Sequence, residues 1–144
     1  MNKIISEEKN LRNELAAKLI RTNYELSGKE VLNPSIYKNP EKSLCFLMYD
    51  NNQMIGGINV IIDYYNWAHI YMTWVDERYR RHGIGSQIMD MVIQYAKDNN
   101  LTGIKTETWD FQAKGFYEKK GFKVYGTLEN HPKGITEFYL YRNC

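Results

Sequence analysis

Residues 79–96 read YRRHGIGSQIMDMVIQYA. Arg80 and Arg81, with Arg78 just ahead of them, lead into Gly83 and Gly85, and Ser86 follows. Side chains of these types in this order suit an anion. Glycines let a phosphate approach the backbone, and the first turn of a helix offers N–H groups and the positive end of its dipole. Guanidinium groups add charge-assisted donors, and the Ser86 hydroxyl is one more. The same residues also suit a simple change of chain direction with solvated arginines. Two familiar phosphate loops do not fit: G-x-x-x-x-G-K-[ST] is absent, and the third glycine of a dinucleotide fingerprint would fall at Ile88.

The elements that must hold this turn follow from periodicity. Apolar residues Ile84, Ile88, Met91, Val92, Tyr95 and Ala96 predict an amphipathic helix directly after it. Leu11, Leu15, Ala16, Leu19, Ile20 and Leu26 predict an earlier helix over about 7–27, stopped by Gly28. The stretch 33–43, with Pro34 and Pro40, reads as a loop or a broken helix. Strands are predicted at 43–50 and 54–65 around a tight turn, at 67–75, at 102–109, and as a final antiparallel pair at 122–129 and 134–142. DFQAKGFYEKKG (110–121) predicts a short helix with Asp110 as N-cap and Gly121 as stop. The strand, helix and strand between about 67 and 109 form a parallel crossover, with the glycine turn at the strand's C-terminal end, where open α/β sheets bind ligands.

Composition narrows the classes. The 144 residues are expected to form one domain, 1–144, with 43% hydrophobic and 25% charged residues. A net charge of +2 gives no global reason for a nucleic-acid or membrane partner, so any basic function must be local. No apolar run is long enough to span a bilayer, and the first ten residues lack a signal-peptide core, so a cytoplasmic protein is expected. Cys45 and Cys144 fit no metal or redox spacing and are expected to be reduced, Cys45 in the core; no metal site is expected. Twelve tyrosines suit either strands or an amphipathic cleft.

The spacing Arg80-x-x-Gly83-x-Gly85 after "WVDERY" resembles the acetyl-CoA loop of the GNAT-type N-acetyltransferase superfamily. Downstream, "DFQAKGFYEKKGF" is similar to that family's N-x-x-A-x-x-F-Y-x-x-x-G-F block, and the element order resembles the family from about 44 to 142. The resemblance implies a mixed α/β fold: a central, mostly antiparallel sheet with one parallel, splayed strand pair and helices on both faces. It implies acetyl-CoA as cosubstrate, with pantetheine amides on the backbone near Trp74 and Val75. Its pyrophosphate would rest on the N–H groups of Arg81, His82, Gly83, Ile84, Gly85 and Ser86, beside Arg80. The short stretch ahead of the first helix leaves little room for the full strand that family members commonly carry there, which leaves the edge of the sheet open.

The resemblance also gives Tyr117 the general-acid role. A phenol, with an ordinary pKa of about 10, can protonate a leaving thiolate while staying un-ionised at neutral pH; on its residues alone Tyr117 reads equally as packing beside Phe116 and Ala113. Where family members often carry asparagine this chain has Asp110, whose expected role is the helix cap. The acceptor amine, almost wholly protonated at pH 7, needs about 4 kcal/mol of deprotonation. His69, with Tyr71 two residues on and on the same strand face, is one candidate base; Glu107 on the partner strand is another, and water relays are a third route. Both side chains also read as ordinary structural residues. Direct transfer in a ternary complex is expected, onto a primary amine of a small molecule or peptide, with homodimer pairing through the last hairpin. Specificity is expected from the first helix, the loop at 28–43, the hairpin end at 63–67 and the last hairpin, where Asp63, Tyr64, Tyr65, Trp67, Glu129 and Glu137 offer aromatic faces and carboxylates. The rival reading is a non-catalytic module that binds or senses acetyl-CoA, and Tyr117 separates the two.

Overall fold

Three- and four-residue apolar spacing produces α1 (Lys9–Ser27), and Gly28, at φ 61°, ends it by donating its N–H to the Tyr24 carbonyl at 2.9 Å. The structure is a computed structural model describing Lys3, residues 5–34 and residues 42–144. The predicted loop at 33–43 lies largely outside the described residues. The chain divides into two units, Met1–Pro40, which carries α1, and Glu41–Cys144, which carries all the strands.

In the second unit the order is β1 (Lys42–Asp50), β2 (Gln53–Ile62), β3 (Trp67–Val75), α2 (Ile84–Asp98), β4 (Gly103–Trp109), α3 (Lys114–Lys119), β5 (Lys123–Leu128) and β6 (Glu137–Asn143). These strands form one six-stranded sheet in the order β1-β2-β3-β4-β6-β5, antiparallel except for β3 and β4. The expected turn between β1 and β2 is Asn51–Asn52, both at positive φ, as a tight hairpin requires. Among the described residues no helix is long and apolar enough to cross a membrane.

The core lies between α2, α3 and one sheet face: Ile58, Val60, Ala68, Ile70, Ile104 and Leu140 from the strands meet Ile88, Met89, Val92, Ile93 and Ala96 from α2. The buried stripe of α2 is turned from the expected one: Met89 and Ile93 are inside, while Met91 is 44% exposed. Close approach of α2 to β2 depends on Gly56, where an added methyl would meet Ile88 Cδ1 at 2.9 Å and Ile84 Cγ2 at 3.1 Å. Cys45 corrects another expectation. It is exposed, on the strand side opposite core-facing Phe46, with the Asn59 amide 3.5 Å from its sulfur.

Candidate active site

Parallel pairing of β3 and β4 runs only from Trp67↔Gly103 to Ile70↔Thr106, although β3 continues to Val75 and β4 to Trp109. Beyond that point the strands part. At the parting, β3 advances from Ile70 to Met72 while its partner β2 moves one residue, from Val60 to Asn59, so Tyr71 is an extra, bulged residue. A bulge bends the strand and re-aims its side chains. Thr73 therefore lies opposite core-facing Ile58, on the α3 side, and Met72 and Trp74 lie on the other.

The opening is a cleft of about 450 Å³. From β3 it takes Tyr71, Thr73, Trp74 and Val75; from β4, Thr106, Glu107 and Thr108; from the helical side, Gln112, Ala113 and Tyr117; and Arg80 stands at one end. Tyr117 is 4% exposed, its ring edge-on to Phe116 and Phe122, and its hydroxyl lies 3.2 Å from Thr73 Oγ1. Its phenol oxygen is thus fixed at a cleft wall. Opposite faces of β4 supply Thr106 and Thr108, which are buried, and Glu107, which is half-buried. Glu107 Oε2 lies 2.7 Å from His69 Nε2, and the His69 ring leans on Tyr71 with centroids 4.5 Å apart. Both side-chain candidates for the proton-accepting group come together, with Tyr71 beside them, but of the two only Glu107 lines the cleft, as Tyr71 does; His69 is outside that lining.

The glycine turn sits at the end of β3. Asp76 accepts the Arg78 backbone N–H at 2.9 Å and both guanidinium arms, Nε at 3.1 Å and Nη2 at 2.8 Å. Those bonds from Arg78, side chain first and then backbone, hold the Asp76 carboxyl at about 2, well below its ordinary value. Arg78 is therefore committed to the turn itself. The Tyr79 hydroxyl donates to Asp50 Oδ2 at 2.6 Å, which ties the turn to the end of β1 and raises the phenol's pKa. Arg80 Nε donates to the Val75 carbonyl at 3.1 Å. Arg81 and Gly83 take positive φ, 63° and 79°, and Gly83 is the N-cap of α2. No side chain caps this helix, so the N–H groups of Ile84, Gly85 and Ser86 face outward. They border a bowl of about 250 Å³ whose lining includes Arg80, Arg81, Gly83, Gly85 and Ser86. A methyl at Gly85 would reach Val75 at 3.4 Å and narrow the passage between β3 and the helix. His82 is exposed and outside that lining; Trp74 and Val75 line the cleft.

Asp110 departs from its expected role. It accepts the Thr136 N–H at 3.0 Å and donates its own N–H to the Thr136 carbonyl at 2.9 Å, fastening β4's end to the last hairpin. α3 begins four residues later, behind Ala113, whose N–H reaches Thr108 Oγ1 at 3.3 Å. Thr73, Thr108 and Gln112 carry no motif of their own and enter the site through the bulge and this irregular helix start.

The family model described as the acetyltransferase (GNAT) family matches residues 11–122. Blasticidin-S acetyltransferase of Streptomyces morookaense is 32% identical over 92 residues, 63% of this chain and 67% of that protein. Among solved structures, an acetyltransferase from Bacillus cereus ATCC 14579 superposes with a TM-score of 0.81 at 26% identity, covering 100% of this chain and 99% of that one. A protein of Bacillus anthracis str. Ames, described as a candidate streptothricin acetyltransferase and crystallised with acetyl coenzyme A, gives a TM-score of 0.65 at 29% identity, covering 75% of this chain and 65% of that one.

Proposed function

Because the chain belongs to the acetyltransferase (GNAT) family, an acetyl-CoA-dependent enzyme class, we propose that it transfers the acetyl group directly to a primary amine of a small molecule, with Tyr117 as general acid. The match spans both units, which supports reading residues 1–144 as one acetyltransferase domain.

The residues present fit the cosubstrate. A diphosphate suits the bowl at the start of α2, where Gly83 and Gly85 keep side chains away and Arg80 and Arg81 add positive charge. The unpaired β3 edge at Trp74 and Val75 suits an amide-bearing arm running toward Tyr117. Acetyl-CoA supplies the thioester, and the chain supplies the proton movements. Glu107, oriented by the hydrogen bond from His69, accepts a proton from the acceptor ammonium, directly or through water. The freed nitrogen attacks the thioester carbonyl; a C–N bond forms and the C–S bond breaks. The nitrogen sheds its second proton to water as the amide forms, while Tyr117 donates its phenolic proton to the departing sulfur and regains one from solvent. Neither free cysteine lines the cleft, which supports transfer without an acyl-enzyme.

A single observation carries this reading: the Tyr117 hydroxyl and the Glu107 carboxylate line one cleft that opens where β3 and β4 stop pairing. Thiol release from acetyl-CoA, measured across a panel of small amines, tests it. Tyr117→Phe should bind acetyl-CoA as before and lose about 10²–10⁴ in kcat. Binding with no turnover in the unaltered protein, on any amine, would instead support a sensing module.

A further inference from the structure

A second cavity, of about 440 Å³, lies on the sheet face away from α2 and is lined by Asp63, Tyr65, Trp67, Lys105, Tyr125 and Tyr141. Its walls are four aromatic rings. The Trp67 indole packs on Gly103 of β4: a methyl there would fall 2.5 Å from Trp67 Cζ3 and 2.7 Å from Cη2. Tyr141 stands beside the indole, centroids 6.4 Å apart, and Tyr125 meets Tyr141 edge-on at 5.7 Å.

Tyr125 reaches this face through a bulge. β5 advances from Val124 to Gly126 while β6 moves one residue, from Leu140 to Tyr139. Tyr71, beside the cleft, is the bulged residue of β3, so two separate register breaks each turn a tyrosine onto one face.

The polar groups of this basin are largely spoken for. Asp63 Oδ1 accepts the Tyr65 and Trp67 N–H groups at 2.9 and 3.0 Å, and Asp63 Oδ2 lies 3.5 Å from the Lys105 ammonium. Both oxygens of this carboxylate are thereby engaged. Lys105 keeps donors to offer, because an ammonium carries three.

The basin also adjoins the cleft. Trp67 and His69 are two residues apart on β3, as are Lys105 and Glu107 on β4, so one row of side chains, roughly 7 Å, separates them. On this basis, which rests on the acetyltransferase reading above, we propose that the basin is a specificity subsite for the acceptor. It takes a planar, uncharged ring bearing a hydrogen-bond acceptor, joined by a short spacer to the amine delivered at Glu107. Aromatic walls with a few fixed polar groups are the usual composition of such a pocket.

The test compares acetylation of butylamine, phenylbutylamine and pyridylbutylamine by the purified protein, with calorimetric titration of the same amines. Phenylbutylamine should show a kcat/KM about ten-fold above butylamine, expressed in KM, as one added aromatic contact allows. Pyridylbutylamine should exceed it through Lys105, and Lys105→Met should erase that further gain. Tyr125, 59% exposed on the edge strand, can be replaced with little risk to folding. Tyr125→Ala should bring the ring-bearing amines down to butylamine, and Tyr125→Phe should preserve their advantage. Acetylation without a ring preference, or a preference that survives Tyr125→Ala, overturns the subsite and leaves the transferase reading standing. Calorimetric ring binding that Tyr125→Ala abolishes, with neither these amines nor any of the wider panel acetylated, leaves a ring-binding basin but overturns the transferase reading and with it the subsite's role for an acceptor.

Discussion

Adding a single methyl at Gly56 tests whether the glycine turn is aimed by the packing of α2. The new Cβ would lie 2.9 Å from Ile88 Cδ1, 3.1 Å from Ile84 Cγ2 and 3.3 Å from the Trp74 carbonyl oxygen. Ile88 is fully buried, Ile84 begins α2, and the Trp74 oxygen belongs to the β3 backbone, so none can swing into open space. Overpacking of this kind costs about 1–3 kcal/mol. In a chain of this length that is a fall of roughly 4–10 °C in Tm. Gly57→Ala is the matched control: its methyl would meet Leu47 Cδ2 at 2.7 Å, but Leu47 is 37% exposed and can rotate away. Neither glycine needs positive φ, so the loss of unfolded-state entropy, about 0.4–1 kcal/mol in favour of alanine, is common to both and cancels. Thermal denaturation of both variants, with acetyl-CoA KM for each, is the assay. Gly56→Ala should lose stability and raise the acetyl-CoA KM together, because displacement of Ile84 carries the first turn of α2 with it; Gly57→Ala should do neither. Equal Tm values for the two, or a destabilised Gly56→Ala with an unchanged KM, would refute the link between this packing and the bowl at the start of α2.

Other expectations follow from the same geometry. Tyr117→Phe keeps the buried ring and leaves Thr73 open to solvent, so its stability loss should be about 1 kcal/mol or less beside a large loss of kcat, separable by denaturation and turnover on one preparation. Glu107→Gln should lower kcat about 10²-fold or more, whereas His69→Asn should retain more activity; an unchanged kcat in Glu107→Gln would remove Glu107 from proton transfer. Asp76, held near 2, is favoured in its ionised form by the fold. Its contribution is complete above pH 4 and disappears as pH falls toward 2. The protection of the Arg78 amide relative to its intrinsic exchange rate should therefore fall across that interval, and in Asp76→Asn that protection should not change with pH there.

Much of this architecture is legible in short stretches because each element carries its own period. β3 at Trp67–Val75 follows its aromatic and β-branched run, α1 stops at Gly28, and Asn51–Asn52 makes the turn that strand alternation on either side requires. The Arg80, Gly83 and Gly85 spacing marks the bowl because a helix N-terminus is local chemistry. The remainder depends on partners distant in sequence. Nothing around Tyr71 or Tyr125 announces a bulge, since a bulge is a mismatch of count with another strand, and it decides that Thr73 rather than Met72 meets Tyr117. Asp110 has the composition of a cap, yet the N–H it accepts belongs to Thr136. Cys45 shares a strand with apolar neighbours but falls on the outer parity. Arg78 looks like a phosphate donor until Asp76 occupies it with two guanidinium contacts.

The short parallel seam between β3 and β4 also bears on how the cleft comes into being. On one side of it β1, β2 and β3 form a meander joined by tight hairpins; on the other, β4, β6 and β5 pair antiparallel. Each half holds three strands, enough to stabilise its own register. Joining them requires the crossover through α2, and the chain-closure entropy of that step is repaid by only four rungs and the packing of α2. The cleft therefore opens at the end of the sheet's one parallel contact. Cleft wall and junction are one place, so a substitution at Ile70 or Thr106 bears on both.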